Sequence, residues 1–202
     1  MNFPIFMTGL MMGLSLIVAI GAQNAFILRQ GLRREHVFAV CLTCGLSDAV
    51  LILLGVTSLR QITTMLPWLD PAMRTGGAAF LIWYGARSLR SALRSTGALT
   101  IEDEVASPFW PTLATCLALT WLNPHVYLDT VVFLGTISTR FPGNEMLFAA
   151  GAMTASFLFF FALGYGAGWL RPIFSRPSAW RVLDLAIAAV MGTIALGLLR
   201  GL

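Results

Sequence analysis

Long apolar stretches separated by short polar segments cover most of the chain. Because a bilayer core about 30 Å thick requires roughly 20 apolar residues per helix, this pattern predicts six membrane-spanning helices. They lie near residues 5–28, 36–58, 67–90, 111–137, 144–169 and 180–200. In the third span Arg74 and Arg87 leave only a short uncharged stretch between them, although arginine at a helix end can extend to the headgroups. A five-span arrangement is therefore the alternative.

The composition excludes a water-soluble monomer. Hydrophobic residues make up 57% of the 202 residues and charged residues only 11%, whereas soluble domains carry about 25% charged residues. The apolar surface of such a chain exceeds what one small core can bury. We therefore expect a multi-pass protein of the lipid bilayer. The sequence contains neither a basic tail nor a zinc-finger motif, so nucleic-acid binding is not expected.

All 13 basic residues are arginine, and they are distributed unevenly. Nine follow span 1, follow span 3 or lie between spans 5 and 6, namely Arg29, Arg33, Arg34, Arg87, Arg90, Arg94, Arg171, Arg176 and Arg181. Four fall at the opposite ends of the spans, namely Arg60, Arg74, Arg140 and Arg200. Because arginine-rich loops stay in the cytoplasm, this distribution predicts that both termini lie outside.

One polar segment divides the chain almost in half. We interpret residues 1–202 as a single transmembrane transporter domain with a first repeat at about 1–95, a cytoplasmic linker at about 91–108 and a second repeat at about 109–202. Three spans per half give the halves opposite orientations, as inverted-repeat transporters require. The predicted fold class is an all-α integral membrane protein with six transmembrane helices in two inverted three-helix repeats.

Spans 1 and 4 each contain a helix-breaking sequence. Span 1 has Gly21-Ala22-Gln23-Asn24, and span 4 has Trp121-Leu122-Asn123-Pro124, nearly half a chain length later. Pro124 removes a backbone donor, and a free backbone group in hydrocarbon is costly unless it lines a cavity. We therefore predict substrate binding at Gln23, Asn24, Asn123 and Pro124. A simple proline kink is the alternative for span 4.

Two carboxylates lie deep in apolar spans. Asp48 in span 2 and Asp129 in span 4 each cost about 2.5–3.5 kcal/mol at a helix centre. Their functional interpretation is binding of a cationic substrate or proton coupling, with His125 as a further proton-coupling candidate. Hydrogen bonding to neighbouring Ser, Thr or Asn side chains is the alternative. Asp184, near the start of span 6, is expected to stabilise the helix dipole.

Other chemistries lack their motifs. Cys41, Cys44 and Cys116 lie in apolar runs, so neither a disulfide framework nor a metal site is expected. We expect no cofactor. An intramembrane enzyme would need a nucleophile with a base, a ligand cluster or paired carboxylates. A divalent-cation exporter would also use carboxylate and amide oxygens. A helix pair rich in Asp and Glu would favour that alternative, and the sequence has none.

Three segments resemble the LysE/ArgO family of bacterial basic amino-acid exporters: residues 21–26 (GAQNAF), Ser47-Asp48, and residues 120–130 (TWLNPHVYLDT). The resemblance extends over the whole chain. It implies export of L-arginine or L-lysine from the cytoplasm, a location in the bacterial inner membrane, and six helices in two inverted repeats. It also implies secondary transport coupled to protons or to the membrane potential.

A basic amino acid as the substrate is also consistent with the chemistry of the candidate site residues. Its carboxylate suits the N-termini of broken helices, and its cation suits Asp48 and Asp129. No nucleotide-binding motif occurs, which favours an electrochemical energy source. The choice between arginine and lysine stays open, as does assembly into a homodimer.

Overall fold

The computed structural model describes residues 3–18, 21–65, 69–94, 107–170, 172 and 177–200, and no β-strand occurs among them. The helices in chain order are α1 (Phe3–Ile17), α2 (Ala22–Arg33), α3 (Val37–Met65), α4 (Leu69–Arg94), α5 (Phe109–Trp121), α6 (Pro124–Tyr127), a π-helix (Leu128–Leu134), α7 (Gly135–Ser138), α8 (Glu145–Gly166), a 3-10 helix (Ala167–Leu170) and α9 (Pro177–Arg200). The predicted all-α class is confirmed. Most of the predicted linker, residues 95–106, lies outside the described residues.

The length and apolar composition of the helices identify a multi-pass membrane protein. Within the described ranges, Val37–Thr57, Glu145–Leu170 and Ser178–Gly197 are each long and apolar enough to cross a bilayer, and α1 with α2 qualifies as one bent pair. Helix α4 has 26 residues but is too polar to meet the same requirement. By length and composition these residues therefore supply three or four spans, whereas the hydrophobic pattern predicts six.

A helix interruption lies at or next to each predicted helix-breaking sequence, but residues 22–24, predicted to be part of the first interruption, are helical. The axes of α1 and α2 differ by 83°, and Gly21 precedes α2 in an extended conformation. The first break therefore ends just before Gln23 and Asn24, which lie in the first turn of α2. Helix α5 ends at Trp121, and α6 begins at Pro124, the first helical position at which proline is tolerated.

The chain after the second break is helical from Pro124 to Ser138, but its middle turns are a π-helix. Asp129 lies in the first turn of this π-helix. Such segments are rare and are frequently found at functional sites. Nothing in the hydrophobic pattern predicted this departure from a regular α-helix.

Small residues allow the helices to approach closely. A Cβ added at Gly9 of α1 would overlap the carbonyl oxygen of Phe148 in α8, and one added at Gly135 would overlap the backbone of Gly55 in α3. Close backbone contact at small residues is a main source of helix association in membranes. These glycines therefore fix how α1 packs on α8 and how α7 packs on α3.

The helix contacts relate the two halves of the chain. Helix α3 packs against α8, and α4 packs along α9. Helix α1 packs on α8, while α5, which also precedes a break, packs on α3. If the halves were exchanged, the α3–α8 and α4–α9 contacts would map onto themselves, and the α1–α8 contact would map onto the α5–α3 contact.

Arginine-rich segments meet at one end of the bundle. Arg29 of α2 forms a 3.0 Å ion pair with Asp184 of α9. Glu35 pairs with Arg33 and accepts a hydrogen bond from the backbone N–H of Ser107. Asp184 lies beyond the first turn of α9, so the expected helix-dipole role is wrong; this carboxylate instead ties α9 to α2.

Candidate functional site

A cavity of about 330 Å³ lies between the two helix breaks; we call it the central cavity. Its polar lining comes from the first break, from α3, from the second break with the π-helix, and from α8. These residues are Gln23, Asn24, Asp48, Asn123, Asp129, Thr130 and Ser156. Elements far apart in the sequence thus bring five of the predicted site residues around one space. The side chains of Pro124 and His125 lie outside the described part of the structure.

Asp48 is buried, with 5% of its surface exposed. The hydroxyl of Ser156 donates a 2.9 Å hydrogen bond to Asp48 Oδ2, so the hydrogen-bonding alternative is present for this residue. The bond occupies one of two carboxylate oxygens. No arginine among the described residues forms an ion pair with Asp48. A buried carboxylate in this setting is stabilised by a proton or by a cationic ligand.

Asp129 reaches the same cavity from the π-helix. It is only half-buried, in contrast to Asp48. The hydroxyl of the next residue, Thr130, donates to the carbonyl oxygen of Val126 four residues earlier, a bond that commonly bends helices. The π-helix and this bond together determine the local helix geometry at Asp129.

At each break, a polar side chain donates a hydrogen bond to the last carbonyl group of the helix before the break. The amide nitrogen of Asn24 donates a 2.7 Å hydrogen bond to the carbonyl oxygen of Ile17, the last residue of α1. The hydroxyl of Tyr127 donates a 3.0 Å hydrogen bond to the carbonyl oxygen of Trp121, the last residue of α5. Each bond satisfies a carbonyl that the helix end leaves open. Asn24 therefore holds the break together in addition to lining the cavity.

Gln23 lines the central cavity and has a buried side-chain amide close to Cys44. Its side chain is 8% exposed, and its amide nitrogen is buried with no hydrogen-bond partner in the described structure. A buried donor left in this state costs about 1–3 kcal/mol. The first N–H groups of α2 lack partners within the helix as well. This corner of the cavity is suited to an anionic group such as a carboxylate.

Two side chains that support the site were not predicted as site residues. Ser156 carries no motif and lies within an apolar run, so only the contact with Asp48 reveals its position. Trp121 belongs to the helix-breaking sequence of span 4, and its indole N–H donates a 3.1 Å hydrogen bond to the hydroxyl of Ser47. This bond fixes the end of α5 to the residue next to Asp48.

The cysteines form a buried cluster that adjoins the central cavity at Gln23. The sulfur atoms of Cys44 and Cys116 lie 3.1 Å apart, and Cys41 donates to the carbonyl oxygen of Phe160. All three thiols are free. In the part of the chain that the structure describes, no group of three or more His, Cys, Asp or Glu residues has the arrangement of a metal site.

Comparison with known proteins gives a consistent picture. The family model described as "LysE type translocator" matches residues 14–201. The chain is 41% identical over 199 residues to "Arginine exporter protein ArgO" of Pectobacterium carotovorum, which covers 98% of both chains. It is 40% identical to the protein of that name from Escherichia coli, over 98% of this chain and 94% of the relative. No solved structure matches.

Proposed function

The chain belongs to the LysE translocator family, and on that premise we propose that it is a secondary transporter that exports basic L-amino acids, arginine or lysine, from the cytoplasm. The relatives that cover almost its whole length are named arginine exporters. Their names describe transport rather than catalysis.

The central cavity is the observation that carries this proposal. A basic amino acid has a cationic side chain, an α-ammonium group and a carboxylate. Asp48 and Asp129 supply negative charge for the cations, and charge-assisted hydrogen bonds are the strong ones in such a site. The open amide N–H of Gln23 and the N-terminus of α2 supply donors for the carboxylate. Each charged part of the substrate therefore has a partner.

The second break also contributes to the lining of the central cavity. Asn123 is 7% exposed and lines the same space. Because proline cannot continue a preceding helix, Pro124 keeps α5 and α6 separate. We propose that Asn123 and the helix that begins at Pro124 complete the substrate site, as broken helices do in other transporters.

We propose proton exchange as the coupling mechanism. Moving one positive charge out of a cell against an inside-negative potential costs about 2.3 kcal/mol per 100 mV. If a proton moves inward for each monovalent amino acid that leaves, no net charge crosses the membrane. Asp48 and Asp129 can hold either the proton or the substrate cation, and His125 is a further candidate for the proton path.

We also propose that the six predicted spans form two inverted repeats in the bacterial inner membrane. The exchange of helix contacts between the halves supports this arrangement, as do the two breaks at corresponding positions. The meeting of Arg29, Arg33 and Arg87 at one end of the bundle supports a cytoplasmic location for that end. Both termini would then face outward.

An efflux assay separates this proposal from its rivals. Cells preloaded with labelled arginine or lysine are compared with and without the protein, and tolerance to divalent metals is measured in parallel. Faster loss of either amino acid, strongly reduced by Asp48→Asn, is the expected result. Because carboxylate and amide oxygens also suit hard cations, improved metal tolerance with unchanged amino-acid efflux would instead identify a cation exporter.

A further inference from the structure

A second cavity, of about 370 Å³, lies at the arginine-rich end of the bundle. Helices α2, α4 and α5 form its walls, and we call it the vestibule. The residues that matter for its chemistry are Arg29, Gln30, Tyr84, Arg87 and Ser88. None of these residues lines the central cavity.

The vestibule and the central cavity follow one face of α2. Gln23 lines the central cavity, whereas Phe26 and Gln30 line the vestibule. Positions three and four residues apart share a helix face, so Phe26 lies between the two cavities along α2. Its ring packs edge-on against Tyr84 of α4 with a centroid distance of 6.4 Å. Both rings are buried and line the vestibule, and from the position of Phe26 on α2 we place this aromatic pair between the two spaces.

The vestibule has an open acceptor. Gln30 is 5% exposed, and its amide oxygen is buried without a hydrogen-bond partner in the described structure. Leaving such an acceptor unpaired is unfavourable. A ligand with an N–H group that enters the vestibule would satisfy it.

The vestibule also has positive charge that is not neutralised. Arg29 and Arg33 pair with Asp184 and Glu35, whereas Arg87 forms no ion pair among the described residues. Arg29 keeps further donors after binding one carboxylate oxygen, because a guanidinium carries five N–H groups. The vestibule therefore combines anion-binding donors with a carbonyl acceptor.

We infer that the vestibule is a second binding site for the transported amino acid. The substrate carboxylate binds Arg87 and Arg29, and its α-ammonium group donates to the amide oxygen of Gln30. The amino acid occupies this site before it passes the Phe26–Tyr84 pair into the central cavity. This inference rests on the proposed function, since it assigns a second site to the same substrate.

Equilibrium binding of labelled arginine to the purified full-length protein in lipid nanodiscs tests the inference. We expect two arginines per chain. Arg87→Gln should weaken one of the two binding events by about tenfold, because it removes a charge-assisted hydrogen bond. The matched control Arg90→Gln lies one turn further along α4, is exposed and does not line the vestibule, so binding should stay unchanged.

A variant without the central carboxylates separates the two sites. With Asp48→Asn and Asp129→Asn combined, one arginine should still bind, Arg87→Gln should weaken it, and agmatine, which lacks a carboxylate, should not displace it. If the wild type binds a single arginine with an affinity that Arg87→Gln leaves unchanged, the vestibule inference is wrong and the proposed function stands. Displacement by agmatine would also overturn it. Absence of binding of both labelled arginine and labelled lysine to the wild type would overturn both.

Discussion

Ser156 of α8 donates its hydroxyl hydrogen to a carboxylate oxygen of Asp48 in α3, across 2.9 Å. Helix α3 contains the second predicted span of one proposed repeat, and α8 contains the second predicted span of the other. The bond therefore joins the two proposed repeats. It holds the most buried carboxylate of the central cavity in place while leaving its other oxygen for a ligand. The position of the charge therefore depends on both halves of the chain.

Replacement of Asp48 by Asn tests the charge itself. The side chain keeps its shape and loses its negative charge, which removes charge-assisted contacts worth about 1.5–3 kcal/mol. We expect export of arginine or lysine to fall roughly ten- to a hundredfold, with unchanged amounts of protein in the membrane. Asp129→Asn should behave similarly. Glu145→Gln, at the start of α8 and outside the cavity, is the matched control and should export normally.

Replacement of Ser156 by Ala tests the contact between the repeats. The variant loses the hydrogen bond that positions the carboxylate but keeps the charge of Asp48, so we expect substrate affinity to fall several-fold, less than with Asp48→Asn. The effect should disappear when Asp48 is already Asn, because the bond then no longer involves a charge. Additive losses in the double variant would show that Ser156 acts independently of Asp48.

The sequence predicted those features of the site that have a local cause. The proline in Asn123-Pro124 breaks a helix wherever it lies, and Asp48 is conspicuous because a charge in an apolar run needs an explanation. The π-helix at Leu128–Leu134 has no such local signature. The ion pair between Arg29 and Asp184 joins residues 155 positions apart, so only the packing of α2 against α9 creates it.

Close packing of α1 on α8 can be tested at Gly9. A Leu side chain there must displace the backbone of Phe148, and overpacking of this kind costs about 1–3 kcal/mol or more. We expect Gly9→Leu to lower the thermal unfolding temperature in detergent and the amount of folded protein. The control is Gly192→Ala in α9, where an added Cβ meets no atom within 4 Å; this variant should be at least as stable as the wild type.

The role of Gln23 can be tested through substrate discrimination. If its amide N–H binds the substrate carboxylate, cadaverine and agmatine should compete poorly with lysine and arginine for export. Gln23→Leu should weaken amino-acid export and reduce that discrimination, because the lost donor matters only to substrates with a carboxylate. Equal competition by the decarboxylated analogues in the wild type would indicate that the cavity recognises only cations.

The proposed orientation can be tested by labelling of single cysteines. In a background without Cys41, Cys44 and Cys116, cysteines are introduced at Ser95 and at Thr139, which is exposed between α7 and α8. In intact cells with a permeable outer envelope, an impermeant thiol reagent should label position 139 and not position 95. The reverse pattern would contradict the arginine-based assignment.

Release of labelled arginine from proteoliposomes that contain only this protein tests the central claim most directly. We expect release to exceed that from protein-free vesicles, to accelerate when the outside is made more acidic, and to be lost with Asp48→Asn. Release no faster than from empty vesicles, or release that Asp48→Asn leaves unchanged, would contradict export of arginine through the central cavity.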